Sequence, residues 1–529
     1  MLICALARRA VAQATTSLIP DASVLPKRAV GFRLLTSWTR YDQLMGVGDG
    51  HNIAATLNTD SLGPALVPQF AAAESAIRTA SGLSAFRLTA GNLVAIGDSR
   101  IVTAPLIAQY GVTDRLSIGI VVPLVETRTT LFAQLNPHLG SANVGPNPAF
   151  TNPSQLEQNA ALVAAFRTAA TSLQQKLTTC QATPTGAGCD VLLAQQTQAQ
   201  SLIQATTAFT GAVETLYGTD ETHPGQPFVP IAGGPAQVAI NAQVRNFITL
   251  YQGFLGNTIA GSVVPAGGPG ARAAFQDLLA GMGRDSLQST DRSSIGDISI
   301  GATYQLANTF GDTSRAAARA TRYRLAVNGT LRIGTGEPAS RQRLLDVGTG
   351  YGQPGVELGG AADVQFGRRY SASATGSYTK QIGTIDVSRL ANPGNALLPL
   401  DVSPLNLGGT YSAGDVAALS IVPRLRIASY FAITGQYSIV HTGADQYSLI
   451  ASPPPGSTGA SLSGLGASSA TAQQVGFGVT YSTIVGLERA PGRLPFEASF
   501  SHLETISGSG GPIAKTFRDQ IELRVYFRR

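Results

Sequence analysis

Along much of the chain, apolar and polar residues alternate one for one over stretches of ten residues or more, separated by Gly-, Asp-, Arg- and Pro-rich breaks. A period of two is the mark of a strand whose faces meet different surroundings. In the last stretch Phe517, Ile521, Leu523, Val525 and Phe527 share one face. Arg518, Gln520, Glu522, Arg524 and Tyr526 share the other, and only Asp519 interrupts the apolar side. Tyr323, Leu325, Val327, Leu331 and Ile333 oppose Arg322, Arg324, Asn328, Thr330 and Arg332 in the same way. So do Leu419, Ile421, Leu425 and Ile427 against Ser420, Arg424 and Arg426.

Twelve segments carry the pattern, near 30–41, 100–111, 115–128, 296–307, 322–334, 355–367, 370–382, 416–428, 431–442, 473–486, 493–504 and 516–528. Residues 82–96 are a weaker thirteenth, either an extension of a neighbour or part of an added hairpin, which makes fourteen strands the alternative. A secreted sandwich also alternates, so length and turns decide. Strands of about 12–14 residues exceed the soluble norm of about five or six. Short connections (113–115, 368–369, 428–430) alternate with long ones (334–354, 384–415, 443–472). Short turns at one end and long loops at the other are the arrangement of outer-membrane barrels. The expected fold is an all-β, antiparallel transmembrane barrel of 12 strands (alternatively 14) with both termini on the periplasmic side, carrying a large helical insert.

The insert is expected between about 130 and 290, where alternation stops. Val163, Phe166, Ala170, Leu173 and Leu177 recur at helical spacing, as do Leu202, Phe209, Val213 and Leu216. Ile240, Val244, Phe247, Tyr251 and Leu255 form a third stripe, and 275–282 a short fourth. Cys180 and Cys189 flank the turn between the first two helices, where a disulfide fits an oxidising extracytoplasmic site; two free thiols are the other reading. Strand parity puts the insert on the external side. The chain then divides into 1–28, a partial signal peptide and N-terminal segment; 29–129, the first part of the barrel; 130–290, the insert; and 291–529, the rest of the barrel.

Composition sharpens the choice. Charged residues are 13% of 529 and hydrophobic ones 43%, with 59 glycines and a net charge of +6. That is about half the charge of an ordinary soluble domain without added hydrophobicity, as expected when only every second strand residue meets lipid. No apolar run approaches the length of a spanning helix. No Lys/Arg run interleaves with aromatics, so nucleic acid is not an expected partner. The opening MLICALARRAVAQA carries a short apolar segment and the small-x-small steps of a leader, although Arg8 and Arg9 follow the apolar run instead of preceding it.

Several segments resemble the outer-membrane proteins of the meta-pathway phenol-degradation family, whose architecture is related to that of the long-chain fatty-acid channels. The likeness is carried by YGVTDRLSIGIVVPLVETR (110–128), SIGDISIGATYQL (294–306), LRIGTGEP (331–338), DVGTGYGQPGVELGG (346–360) and the closing FRDQIELRVYF (517–527). It covers roughly 100–128 and 290–527. The insert is large for that family, and Arg528 and Arg529 follow the aromatic that usually ends such barrels. The resemblance implies passive passage of small hydrophobic or aromatic compounds across the bacterial outer membrane.

The face expected to line the lumen carries Arg33, Arg322, Arg324, Arg332, Arg424, Arg426, Arg518 and Arg524, with Asp297, Glu357, Asp363, Glu497 and Glu522. An arginine excess there can favour anions; alternatively the charges form a structural network that fills a narrow barrel. For catalysis the candidates are His441 with Asp445 and His502 with Glu504, near external strand ends. Rim histidines are usually only solvated, so no enzyme, cofactor or metal site is expected. Trp38, Tyr41, Tyr110, Tyr370 and Tyr430 read as interfacial girdle residues. Two functions follow: a channel for small solutes, or a structural, surface-binding barrel whose insert engages a partner. Expected partners are outer-membrane lipid, a small-molecule solute and the outer-membrane assembly machinery.

Overall fold

The computed structural model describes residues 18, 20–45, 50–65, 67, 70–137, 141–150, 152, 154–256, 259, 264–268, 273–274, 288–310, 321–339, 346–387, 389–390, 400–401, 409–449, 469–485, 488–489, 495–511 and 513–528. The leader expected at 1–14 and the short helix expected at 275–282 lie outside them. The chain divides into two compact units: residues 1–56, 95–132 and 279–529, and residues 57–94 and 133–278.

The first unit is a barrel. Its strands are β1 (Ala29–Tyr41), β2 (Leu93–Gly111), β3 (Leu116–Leu135), β4 (Ile298–Asn308), β5 (Arg322–Ile333) and β6 (Gly355–Phe366). There follow β7 (Tyr370–Gln381), β8 (Val416–Arg426), β9 (Phe431–Thr442), β10 (Ala470–Ser482), β11 (Phe496–Gly510) and β12 (Phe517–Arg528). Each pairs antiparallel with its neighbours in sequence, β12 pairs with β1, and β3 pairs with β4 across the insert, so the sheet closes at twelve strands. A further strand, Thr290–Ile295, pairs with β3 outside this circuit. Of the weak thirteenth segment, residues 93–96 extend β2, while 82–92 form no strand.

Closure leaves no free edge and satisfies every strand's backbone, the condition for crossing lipid with strands. The outward residues are those the alternation assigned to the apolar face. Phe32, Leu106, Ile300, Leu358, Phe477 and Ile521 are each about half exposed or more, although large and apolar. A soluble protein would bury such a band; lipid covers it here. The protein is an outer-membrane barrel.

The second unit is helical: α1 (Phe70–Ser81), α2 (Ser154–Ala182), α3 (Cys189–Ala194), α4 (Gln196–Tyr217) and α5 (Pro235–Leu255). Phe166, Phe209 and Phe247, one from each long helix, meet edge-to-face with ring centres 5.2–6.0 Å apart. Each stripe thus ends in a shared aromatic core. The buried hydroxyls are satisfied: Tyr251 donates to Thr206 Oγ1 at 2.9 Å and Tyr217 to Gln237 Oε1 at 3.1 Å. Cys180 and Cys189 form a disulfide between the end of α2 and the start of α3. Helix α1 was not expected, because only Phe70 and Ile77 among its buried residues are large and apolar, the rest being alanines (Ala73, Ala76, Ala80), Glu74 and Ser81, which give a weak periodic signal.

Candidate functional site

Parity fixes which side chains enter the lumen. Since Phe32 and Leu34 face out, Arg33, Ser37, Thr39 and Tyr41 face in. Tyr41 therefore does not belong to the interfacial girdle: it is 4% exposed, in a cluster with Leu44, Ile53, Ile101, Val125 and Ala514. Its eight-residue spacing from Arg33 places both on one face. Tyr110 and Tyr370 do face outward and are exposed.

A cavity of about 770 Å³ runs along the inner wall, lined chiefly by β7 to β12 and β1, with a few residues from β2 to β6, such as Thr103, Ser117, Thr303, Asn328 and Gly360. Its lining extends from Arg426, Ser482 and Tyr526 near the end bearing both termini to Thr442, Ala470 and Thr516 near the other. Between these lie Ser373, Thr375, Ser420, Gln436, Ser438, Ser501 and Gln520, a surface of hydroxyls and amides. Of the charged residues expected to line the lumen, Arg33, Arg324, Asp363, Arg424, Arg426, Glu497, Arg518, Glu522 and Arg524 border this cavity.

Most of these charges are paired. Arg524 contacts Glu522 at 2.5 Å, Asp21 at 3.0 Å and Glu497 at 3.4 Å. Arg33 also bonds Glu522, Arg324 pairs with Asp363 at 2.7 Å, and Arg424 approaches Glu497 at 3.9 Å. Arg518 and Arg426 differ. Arg518 donates from Nε to Thr39 Oγ1 at 3.3 Å, and neither arginine has an ion-pair partner among the described residues. Arg322 stands level with Gln365 at the terminus-bearing end, and Glu357 accepts from Thr379 at 3.2 Å.

Asp297 and Arg332 serve another structure. The Asp297 carboxylate accepts backbone amides from Gly336 (2.9 Å), Tyr351 (2.8 Å) and Gly352 (3.3 Å), with Arg332 Nε at 3.9 Å. It is a post around which the connection from β5 to β6 is wound. The motifs GTGEP and GTGYG supply the two arms of that turn. A Cβ on Gly336 or Gly350 would come within 2.9 Å of Asp297 Oδ1 and of the opposing glycine, so both must lack one. Arg332 also lies 4.6 Å from the centre of the Tyr351 ring. Burial pushes the Tyr351 hydroxyl up to about 12, with Arg332 pulling the other way, so it stays a neutral phenol. The same connection is tied down by Arg292, 3.3 Å from Asp346, and its Val347 packs on the Tyr41 cluster.

The strongest feature the sequence did not reveal is the N-terminal segment, described at 18 and 20–28, which crosses the lumen. Asp21 holds Arg524 of β12. Ala22 donates its amide to Asp363 of β6 (3.1 Å) and accepts from Gln305 of β4 (3.0 Å). Leu25 donates to Ser117 of β3 (2.9 Å), and Leu18 packs on Ile107 and Val121 while its carbonyl accepts from Gln109 (3.0 Å). Burial alone would push the Asp21 carboxyl up, but Arg524, Arg324 and the Ser23 hydrogen bonds hold it well below the usual carboxylate range. The segment thus braces walls far apart in sequence and lines the cavity with Pro20, Asp21 and Ser23 to Pro26.

The candidate histidine pairs do not assemble. His441 bonds Thr471 (2.9 Å), while Asp445 accepts the Gly414 amide (3.0 Å). His502 pairs with Asp519 (2.7 Å) rather than Glu504, on the outward face. No group of three potential metal ligands occurs among the described residues.

No family model matches the sequence, and no curated protein does. Among solved structures the chain is similar to an outer membrane channel from Pseudomonas putida F1, at 9% identity over 96% of this chain and 99% of that one, with a TM-score of 0.40. It is also similar to the Ralstonia pickettii toluene transporter TbuX (9% identity, 97% and 93% covered, TM-score 0.28). A third is a Pseudomonas aeruginosa FadL homologue (10% identity, 98% and 96% covered, TM-score 0.26). The chemistry of the site is read from its own geometry.

Proposed function

We propose that this barrel is a passive outer-membrane passage for small apolar or aromatic solutes that carry a hydroxyl or carboxylate group. The observation that carries the reading is the cavity along β7 to β12 and β1. It spans most of the barrel's height, has room for single-ring compounds, and is walled by hydroxyls, amides, small apolar side chains and paired charges, together with two arginines without acidic partners among the described residues. Paired charges such as Arg324–Asp363 are spent on holding the N-terminal segment. Arg518 and Arg426 are the ones left to attract an anion. The domain division at 28, 129 and 290, and the external placement of the insert, stand as proposals beside this one.

The test is uptake into liposomes bearing the refolded protein, comparing benzoate with benzyl alcohol and a disaccharide. Both aromatics should enter and the sugar should not, with benzoate slowed several-fold by Arg518→Gln. Equal exclusion of all three by folded protein would sink the passage. A second reading has one observation in its favour: residues 18–28 span the lumen, as they would in a barrel closed for good. In that case uptake would be absent with residues 135–288 present or removed.

A further inference from the structure

Outside the lumen, three arginines stand side by side on the lipid-facing surface. Arg40 of β1 is the direct cross-strand partner of Arg100 of β2. Between β2 and β3, the Ser99 and Thr129 hydroxyls meet at 3.0 Å, and Thr130 donates to Asp98. These two bonds fix a register that sets Arg100 level with Arg128. All three are exposed and share the outward parity of Trp38, Val102 and Leu124. None has an ion-pair partner among the described residues.

Like charges directly across neighbouring strands destabilise a sheet, so a row of three calls for a counter-charge. The nearby acids do not supply it at the centre. Asp291 is level with Arg128, at the row's end. Glu126 lies two residues below Arg128, Asp42 and Asp98 lie two above Arg40 and Arg100, Asp98 accepting from Thr130, and Asp519, beside Trp38, is engaged by His502.

The height of the row says what it meets. On β1 the outward face runs from Val30 through Phe32 and Leu34 to Trp38 before reaching Arg40. At about 3.4 Å per residue and a tilt near 40°, Arg40 sits roughly 26 Å above Val30, just past an apolar band about 25 Å tall. Trp38 marks the interface immediately below. This is the end opposite both termini, hence the outer leaflet. Guanidinium forks about 5 Å apart along a row suit phosphate oxygens, which accept paired, charge-assisted hydrogen bonds.

We infer that Arg40, Arg100 and Arg128 bind the phosphate groups of a phosphorylated glycolipid headgroup in the outer leaflet, fixing a lipid against β1 to β3. This stands independently of what crosses the lumen. The test measures binding of bis-phosphorylated lipid A to the refolded full chain in micelles by native mass spectrometry, beside dephosphorylated lipid A. Phosphorylated lipid should bind at least about tenfold more tightly, and the triple variant R40Q/R100Q/R128Q should lose about tenfold or more, as for lost charge-assisted bonds. Arg100→Lys should keep part of the affinity, and Arg368→Gln, in the turn between β6 and β7 at the opposite end of the barrel, all of it. Heat-modifiable migration on gels reports folding of each variant. Equal binding of both lipids, or by wild type and the triple or Arg100→Gln variant, would overturn the assignment. Displacement by millimolar inorganic phosphate would overturn it too, by making the row a site for free anions.

Discussion

The two sides of the lumen are built oppositely. On β2 and β3 the inward residues include Ile101, Ile107, Val121 and Val125, all nearly inaccessible. Each is covered by the barrel's own chain: Leu18 lies on Ile107 and Val121, and the Tyr41 cluster with Val347 lies on Ile101 and Val125. On β7 to β11 the inward residues are mainly serine, threonine, glutamine and small apolar side chains, and there the cavity lies open. Apolar inner wall recruits chain segments because burial removes it from water, at about 25 cal/mol per Å². Hydroxyl-rich wall gains nothing from such a cover and stays wet. The difference teaches that one barrel can fill part of its bore with its own chain for stability and keep a cavity along the rest.

The comparison can be broken most forcefully at Arg524, which joins the covered side to the open one. Arg524→Ala takes from Asp21 its ion-pair partner and leaves Glu522 and Glu497 with Arg33 and Arg424 alone, and should cost about 3–5 kcal/mol, the penalty of an uncompensated buried charge. Urea unfolding followed by tryptophan fluorescence would measure it. Next comes Asp297→Ala, which orphans the amides wound around that carboxylate and should cost about 2–3 kcal/mol. It should also raise protease cleavage between 334 and 354.

A smaller effect is expected from acid. Because Asp21 titrates below its unfolded value, its grip on Arg524 is fully present above about pH 4. It is lost as pH falls through the depressed folded value. Hydrogen exchange at residues 18–28 should therefore quicken beyond the intrinsic pH trend in strong acid and not between pH 5 and 8. The smallest change belongs to the open wall, where Ser438→Ala should alter stability by no more than about 0.5 kcal/mol.

Much of the barrel was legible in the sequence because lipid outside and water inside impose a period of two on every strand. The helices α2, α4 and α5 were legible because large apolar residues mark their buried stripes. Which lumen charge meets which was not, since Arg33 and Glu522 are brought together by closure of β12 onto β1. Asp297 had the right parity for the lumen, but its role depends on a glycine turn forty residues later. The N-terminal segment was hidden for a different reason. Leu18, Ala22 and Leu25 are sparse apolar residues directly after a leader-like stretch, and only the facing Ile107, Val121, Ala326 and Ala361 give them meaning.

The most direct measurement is uptake of an aromatic solute through Ser438→Cys, in a Cys4→Ser background, before and after modification with a bulky thiol reagent. Ser438 lines the cavity from β9. Passage along that wall requires uptake to fall several-fold on modification, while Val121→Cys, beneath Leu18, stays unlabelled and unaffected. Unchanged uptake with Ser438→Cys fully labelled would mean that solutes do not travel through this cavity.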